Sequence, residues 1–146
     1  MVYWRIYQGT WIVPKQAGWA PGPACFLIKY LAILFTLFII AVIILADKDA
    51  IPPFIRALYD FPYGDKLGHF ILYGLLSLIL TLTFLRALPN RDPERVTLSV
   101  GLILALAITA EEYSQQYFSA RTFDLVDLTA SYLGLIVGGW IALKKK

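Results

Sequence analysis

Glu111-Glu112-Tyr113-Ser114-Gln115-Gln116-Tyr117-Phe118-Ser119-Ala120-Arg121-Thr122-Phe123-Asp124-Leu125-Val126-Asp127 decides how this chain folds. The stretch gathers four acids, an arginine and two glutamines between apolar runs long enough to span a bilayer. Ionisable groups are costly at membrane depth, so groups concentrated in this way are expected to meet partners on other helices. The nearest candidate is Asp65-Lys66-Leu67-Gly68-His69-Phe70, which opens an earlier apolar run and holds the only histidine. The two clusters are expected to converge.

Composition supports a membrane reading of the flanking runs. Hydrophobic residues make up 59% of the 146 positions and charged ones 16%, against about 25% charged in ordinary soluble domains; the mean hydropathy is +0.67. The single cysteine, Cys25, excludes an intrachain disulfide and a multi-cysteine metal site; it reads as a buried thiol. Basic residues lie at the ends of apolar runs and form no basic face, so a nucleic-acid partner is not expected.

Four spans follow. The first runs from Leu27 to Ala46, and about 20 residues at ~1.5 Å each cover a hydrocarbon core of about 30 Å. The second runs from Leu67 to Leu88, the third from Val96 to Tyr117 and the fourth from about Asp124 to Leu143. In the second, His69, Tyr73, Ser77 and Thr81 recur at every fourth position and should form one stripe facing other helices, where hydroxyls can bond across. In the third, Glu112 is expected to share a face with Thr109, Gln115 and Gln116. In the fourth, Ala130, Gly134, Gly138 and Ala142 form a small-xxx-small seam that admits a close neighbour, with Asp124, Asp127 and Ser131 beside it near the helix start.

The remainder is connection. Residues 1–24 form an interfacial arm marked by Trp4, Trp11 and Trp19 and closed by Ala20-Pro21-Gly22-Pro23; residues 25–146 form the transmembrane domain. Pro52-Pro53 could start a short surface helix between the first two spans. Trp140 and Lys144 to Lys146 anchor the far end. Nine basic residues (Arg5, Lys15, Lys29, Arg86, Arg91, Arg95, Lys144, Lys145, Lys146) lie on the side of the termini and four (Lys48, Arg56, Lys66, Arg121) on the other. The positive-inside rule then puts both termini in the cytoplasm and both polar clusters outside it, in a cell (inner) membrane.

The spaced pattern Asp65-Lys66-x-x-His69-Phe70-x-x-Tyr73, Glu112-x-x-Gln115, Arg121, Asp127, Gly134 and Gly138 resembles the VanZ-like family of bacterial membrane proteins. The resemblance covers roughly Asp65 to Trp140. It implies an integral membrane protein acting on or near the cell envelope, linked through the founding members to resistance to the glycopeptide antibiotic teicoplanin. This chain departs from the family in one place, carrying Ser131 where an asparagine is usual, which takes away a carboxamide at that point.

Several chemistries fit the converging residues. Asp65, Glu111, Glu112, Asp124 and Asp127 face Lys66 and Arg121, leaving three negative charges uncompensated with His69 neutral. A carboxyl sharing a proton with His69 would make a general acid/base pair; a divalent cation would answer the same excess, although the spacing matches no metal motif and no metal ligand is assigned. The working site takes His69, Glu112 and Asp127 as the acid/base groups and Asp65, Lys66, Tyr73, Gln115, Arg121, Asp124 and Ser131 as ligand contacts, with cofactor and oligomeric state unassigned. The expected function is recognition, and modification as a further step, of a lipid-linked or peptidoglycan-derived envelope component among membrane lipids. The rival is a non-enzymatic membrane partner or structural protein in which the polar cluster is interhelical glue. A small transporter ranks third, because its ionisable groups should lie near the midplane.

Overall fold

The computed structural model describes residues 23–48, 50–53, 57, 61–117 and 123–145, without the side chains of 23–25 and 47. The interfacial arm, Arg56 and Arg121 therefore lie outside the described residues, as does the Cys25 side chain. The protein is an all-α four-helix bundle of α1 (Pro23–Asp47), α2 (Gly64–Ala87), α3 (Pro93–Ser114) and α4 (Leu125–Lys144), with a 3-10 turn over Gln115–Tyr117. All four helices are long and apolar enough to cross a membrane, with candidate spans of 20 to 25 residues; this is a multi-pass membrane protein. Of the short helix expected after Pro52, Pro53 and Ala57 are helical and the rest is not described.

The helix starts follow local chemistry. Asp92 caps α3 by accepting a hydrogen bond from the Glu94 amide at 3.1 Å, with Pro93 as the first helical residue. Asp124 caps α4 by accepting from the Val126 amide at 2.8 Å. Before α2 the chain turns through Tyr63 at φ 68°, the one non-glycine residue in the left-handed region among the described residues. At the far end of α4, the Lys144 ammonium lies 3.8 Å from the centre of the Trp140 ring.

The centre of the bundle is α2, which packs on all three other helices and most extensively on α4. The small-residue seam explains that intimacy. A Cβ on Gly134 would overlap the carbonyl oxygen of Phe70, and one on Gly138 would overlap that of Gly74. Without those side chains the two backbones approach to van der Waals distance, which replaces the hydrophobic drive that lipid does not supply. Ser77 Oγ donates to the Leu135 carbonyl at 2.8 Å across the same interface.

The apolar core is Ile39, Tyr73, Leu76, Ile108 and Leu135. The α2 stripe faces protein as expected: Tyr73, Ser77 and Thr81 are buried and His69 is half-buried. One member behaves differently. Thr81, expected to bond across helices, is fully enclosed and its Oγ1 has no hydrogen-bond partner among the described residues. On α3 the buried face is Ile108, Glu112 and Gln115, while Thr109 and Gln116 are exposed. The expected face is corrected here: Thr109 Oγ1 instead bonds the Ala105 carbonyl and the Tyr132 hydroxyl, and the 3-10 turn beginning at Gln115 carries Gln116 outward.

Candidate functional site

The two polar clusters do meet, at the end of the bundle where α2 starts, α3 ends and α4 starts. They form a belt with two different sides.

The inner side is built on Lys66. Its ammonium lies 2.8 Å from Asp124 Oδ2 and 2.8 Å from Asp127 Oδ1. One cation thus ties the first turn of α2 to the start of α4, between two carboxylates that belong to the cap and first turn of that helix. The Lys66 ammonium, followed by the Val126 amide, holds the Asp124 carboxyl below the usual carboxylate range. Glu112, fully buried, brings in α3: its Oε1 accepts from the Asp124 amide at 3.0 Å and its Oε2 from Gln115 Nε2 at 3.3 Å. The same Gln115 nitrogen donates to Glu111 Oε1 at 2.9 Å. Both of its hydrogens are then used, one on each of two adjacent glutamates.

The outer side contains Asp65, His69, Tyr73 and Glu111. Tyr73 donates to Glu111 Oε2 at 3.2 Å, and its ring lies 5.8 Å from that of His69. His69 Nδ1 is 3.1 Å from Ser131 Oγ, which itself donates to the Asp127 carbonyl at 2.9 Å. Ser131 has one proton, so both contacts are satisfied together only when His69 donates from Nδ1. The other ring nitrogen, Nε2, faces Asp65 Oδ1 at 3.9 Å. Ser131 thus orients the imidazole.

These four residues, with Gly64 and Gly68, form one wall of a cavity of about 170 Å³ between α1 and α2. The opposing wall is apolar and comes mainly from α1: Ile39, Val42, Ile43, Leu45 and Ala46. Of the residues taken as acid/base groups, only His69 faces this cavity; Glu112 and Asp127 are buried on the inner side with Gln115 and Ser131, beside the half-buried Lys66 and Asp124. Arg121 lies outside the described residues.

Glu111 was legible as part of the acidic run but had no role assigned. Its four-residue spacing to Gln115 was the available signal. The apolar wall from α1 carried no signal, since nothing in that uniform run marks one face.

Asp65, His69 and Asp127 bring one ligand atom each within 4.8 Å of one another, a set that could hold a metal ion. The Lys66 ammonium already sits on Asp127 Oδ1, so the protein itself supplies a positive charge at that corner, which weakens the case for a metal there.

Comparison of the chain with family models, with characterised proteins and with solved structures finds no match.

Proposed function

We propose that this protein works in the cytoplasmic membrane of a cell envelope, termini inward, and recognises an amphiphilic envelope component, lipid-linked or peptidoglycan-derived, in the cavity between α1 and α2. The observation that carries the reading is the construction of that cavity, with hydrogen-bonding and ionisable groups on one wall and aliphatic side chains on the other. Such a division suits a polar head joined to an apolar tail. The basic asymmetry of nine against four supports the orientation, and the resemblance to the VanZ-like pattern supports an envelope role, with teicoplanin tolerance as a phenotype to measure. Proton abstraction from the bound component would fall to His69 Nε2, whose lone pair is left free when Nδ1 donates to Ser131 and which is set opposite Asp65.

A second reading holds for the inner side alone. Lys66 pairs with Asp124 and Asp127, and Glu112 accepts from Gln115 and from the Asp124 amide; this favours interhelical glue for those five residues.

A photoactivatable side chain tests the cavity. Placed at Ile43, within the cavity, it should capture one amphiphile enriched over bulk membrane lipid. Placed at Leu106, on the exposed face of α3, it should capture the bulk mixture. Identical adducts at the two positions would remove the proposal. In a Cys25→Ser background, a cysteine at Ala120 should react with an impermeant thiol reagent outside intact cells and one at Asn90 should not; the reverse pattern would invert the orientation.

A further inference from the structure

At the opposite end of the bundle from the polar belt, a groove of about 690 Å³ runs between α2 and α3. It is apolar along its length, lined by Leu80, Phe84 and Leu88 of α2 and by Val100 and Ile103 of α3. Leu88 to Leu80 is eight residues, as is Arg95 to Ile103, or about 12 Å along a helix. The groove therefore reaches through most of the ~15 Å that one leaflet contributes to the hydrocarbon core. Its mouth is polar. The chain turns there through Pro89 and Asn90, closed by the Arg91 amide donating to the Leu88 carbonyl at 3.1 Å, and this brings Asn90 and Arg91 to the same mouth as Arg95 from the first turn of α3.

The ionisable groups of this groove, among the described residues, are Arg91, Asp92 and Arg95. Asp92 is already engaged, since its Oδ1 caps α3 and its Oδ2 lies 3.5 Å from Arg95 Nε. The two terminal nitrogens of Arg95 and the whole Arg91 guanidinium then have no partner among the described residues, and both side chains are exposed. No further aspartate or glutamate is at hand to neutralise them. Of the ten in the chain, only Asp92 and Glu94 fall at this end; the others lie from the end of α1 to the start of α2, at the end of α3 and at the start of α4. Glu94 lines a different groove, between α3 and α4. That second groove is a comparison within the molecule: it has about the same volume, 680 Å³, and apolar sides from Leu98, Leu102 and Ile136, but Glu94 is its one charged lining residue among the described residues. An acyl chain suits both grooves, and a negative head suits only the one with the arginines. Guanidinium groups match phosphate oxygens bidentately, and basic recesses between membrane helices suit anionic head groups.

We infer that the groove between α2 and α3 holds an anionic phospholipid, with its phosphate at Arg91 and Arg95 and an acyl chain along Phe84 and Ile103. This site is separate from the cavity between α1 and α2 and does not rest on the function proposed for it. The test uses the purified full chain in a neutral maltoside detergent, with phosphatidylglycerol and phosphatidylcholine of identical acyl chains as probes. Retention is read by native mass spectrometry across a concentration series. Phosphatidylglycerol should be held about tenfold more tightly, the effect of one or two charge-assisted contacts. Arg91→Gln/Arg95→Gln should remove that preference; both side chains are exposed, so the variant should fold. Lys144→Gln/Lys145→Gln, at the same end of the bundle but outside the groove, should keep it. Equal loss in the two double variants would show diffuse attraction to a basic end and overturn the inference, as would equal retention of both lipids by the parent. Ile103→Trp, at an exposed position within the groove, should weaken retention of phosphatidylglycerol by occupying the path of the chain, and unchanged retention would overturn the seat of the lipid. Excess inorganic phosphate separates the two sources of the anion. It should leave the lipid in place, and its displacing the lipid would show a free-anion site instead.

Discussion

Glu111 and Glu112 are neighbours in the chain and share one glutamine amide, yet they belong to opposite sides of the polar belt. Glu112 points inward, is fully buried, and receives the backbone amide of Asp124. Glu111 points to the cavity and receives the Tyr73 hydroxyl. A helix turns about 100° per residue, so one step in sequence is enough to move a carboxylate from a structural network to a wall that a ligand can reach. Polar residues gathered at one membrane level are therefore not one site. The inner side holds three helices together, and the outer side is what remains available for binding.

The most severe way to break the arrangement is to separate α2 from α4, on which both sides depend. Gly134→Leu forces a side chain into the carbonyl of Phe70 and should cost about 3 kcal/mol or more, at the upper end for overpacking. Its expected readout is loss of the folded protein from membranes together with loss of amphiphile binding. A Gly134→Leu protein that melts like the parent would show that the seam does not set the helix approach.

Lys66→Met strikes the inner side alone. It leaves Asp124 and Asp127 facing each other without their shared cation and should cost about 2–3 kcal/mol, less than the roughly 3–5 of a fully buried pair because the Lys66 side chain is 27% exposed. Reversible unfolding in mixed detergent would measure the cost. The molecules that remain folded should still retain an amphiphile, since Lys66 does not line the cavity.

A smaller effect should appear with pH. The Asp124 carboxyl is held below its ordinary value, chiefly by Lys66. Its contribution to stability is therefore complete above the unfolded aspartate value of about 4 and is lost as pH falls through the lower folded value. Melting midpoints followed from neutral pH into acid should decline in that window, and Asp124→Asn should remove the part of the decline that Asp124 causes. Parallel acid profiles for parent and variant would contradict the pairing with Lys66.

Much of the frame was legible in the sequence. Four apolar runs of about 20 residues, bounded by charges and prolines, have few alternatives in a chain this hydrophobic. Small residues at Gly134 and Gly138 identified the seam, and the fourfold spacing from His69 to Thr81 identified the inward stripe of α2. The rotation of α3 was harder to read. Burial of Ile108 turns Glu112 and Gln115 inward and leaves Thr109 outside, and polar spacing alone did not distinguish that rotation from its neighbour. The least legible feature was the apolar wall. α1 is the most hydrophobic span and the least buried, and its one threonine, Thr36, is satisfied by the Ala32 carbonyl within its own helix. No polar marker reports that Ile39 and Ile43 turn towards α2. The division of the belt into two sides depends on that docking and emerges only from the packed structure.

The most direct test of that division compares Glu111→Gln with Glu112→Gln, measuring thermal stability and the amphiphile retained per folded molecule in the same preparation. Glu111→Gln keeps one acceptor and turns its amide towards the other of its two donors, Tyr73 or Gln115, but at a half-buried position, and should shift stability by about 1 kcal/mol or less while abolishing retention. Glu112→Gln puts an amide against two donors in a buried position and should cost about 1–3 kcal/mol while the folded fraction still retains the amphiphile. The account is contradicted if Glu111→Gln loses retention only in proportion to lost folded protein, or if Glu112→Gln abolishes retention at unchanged stability.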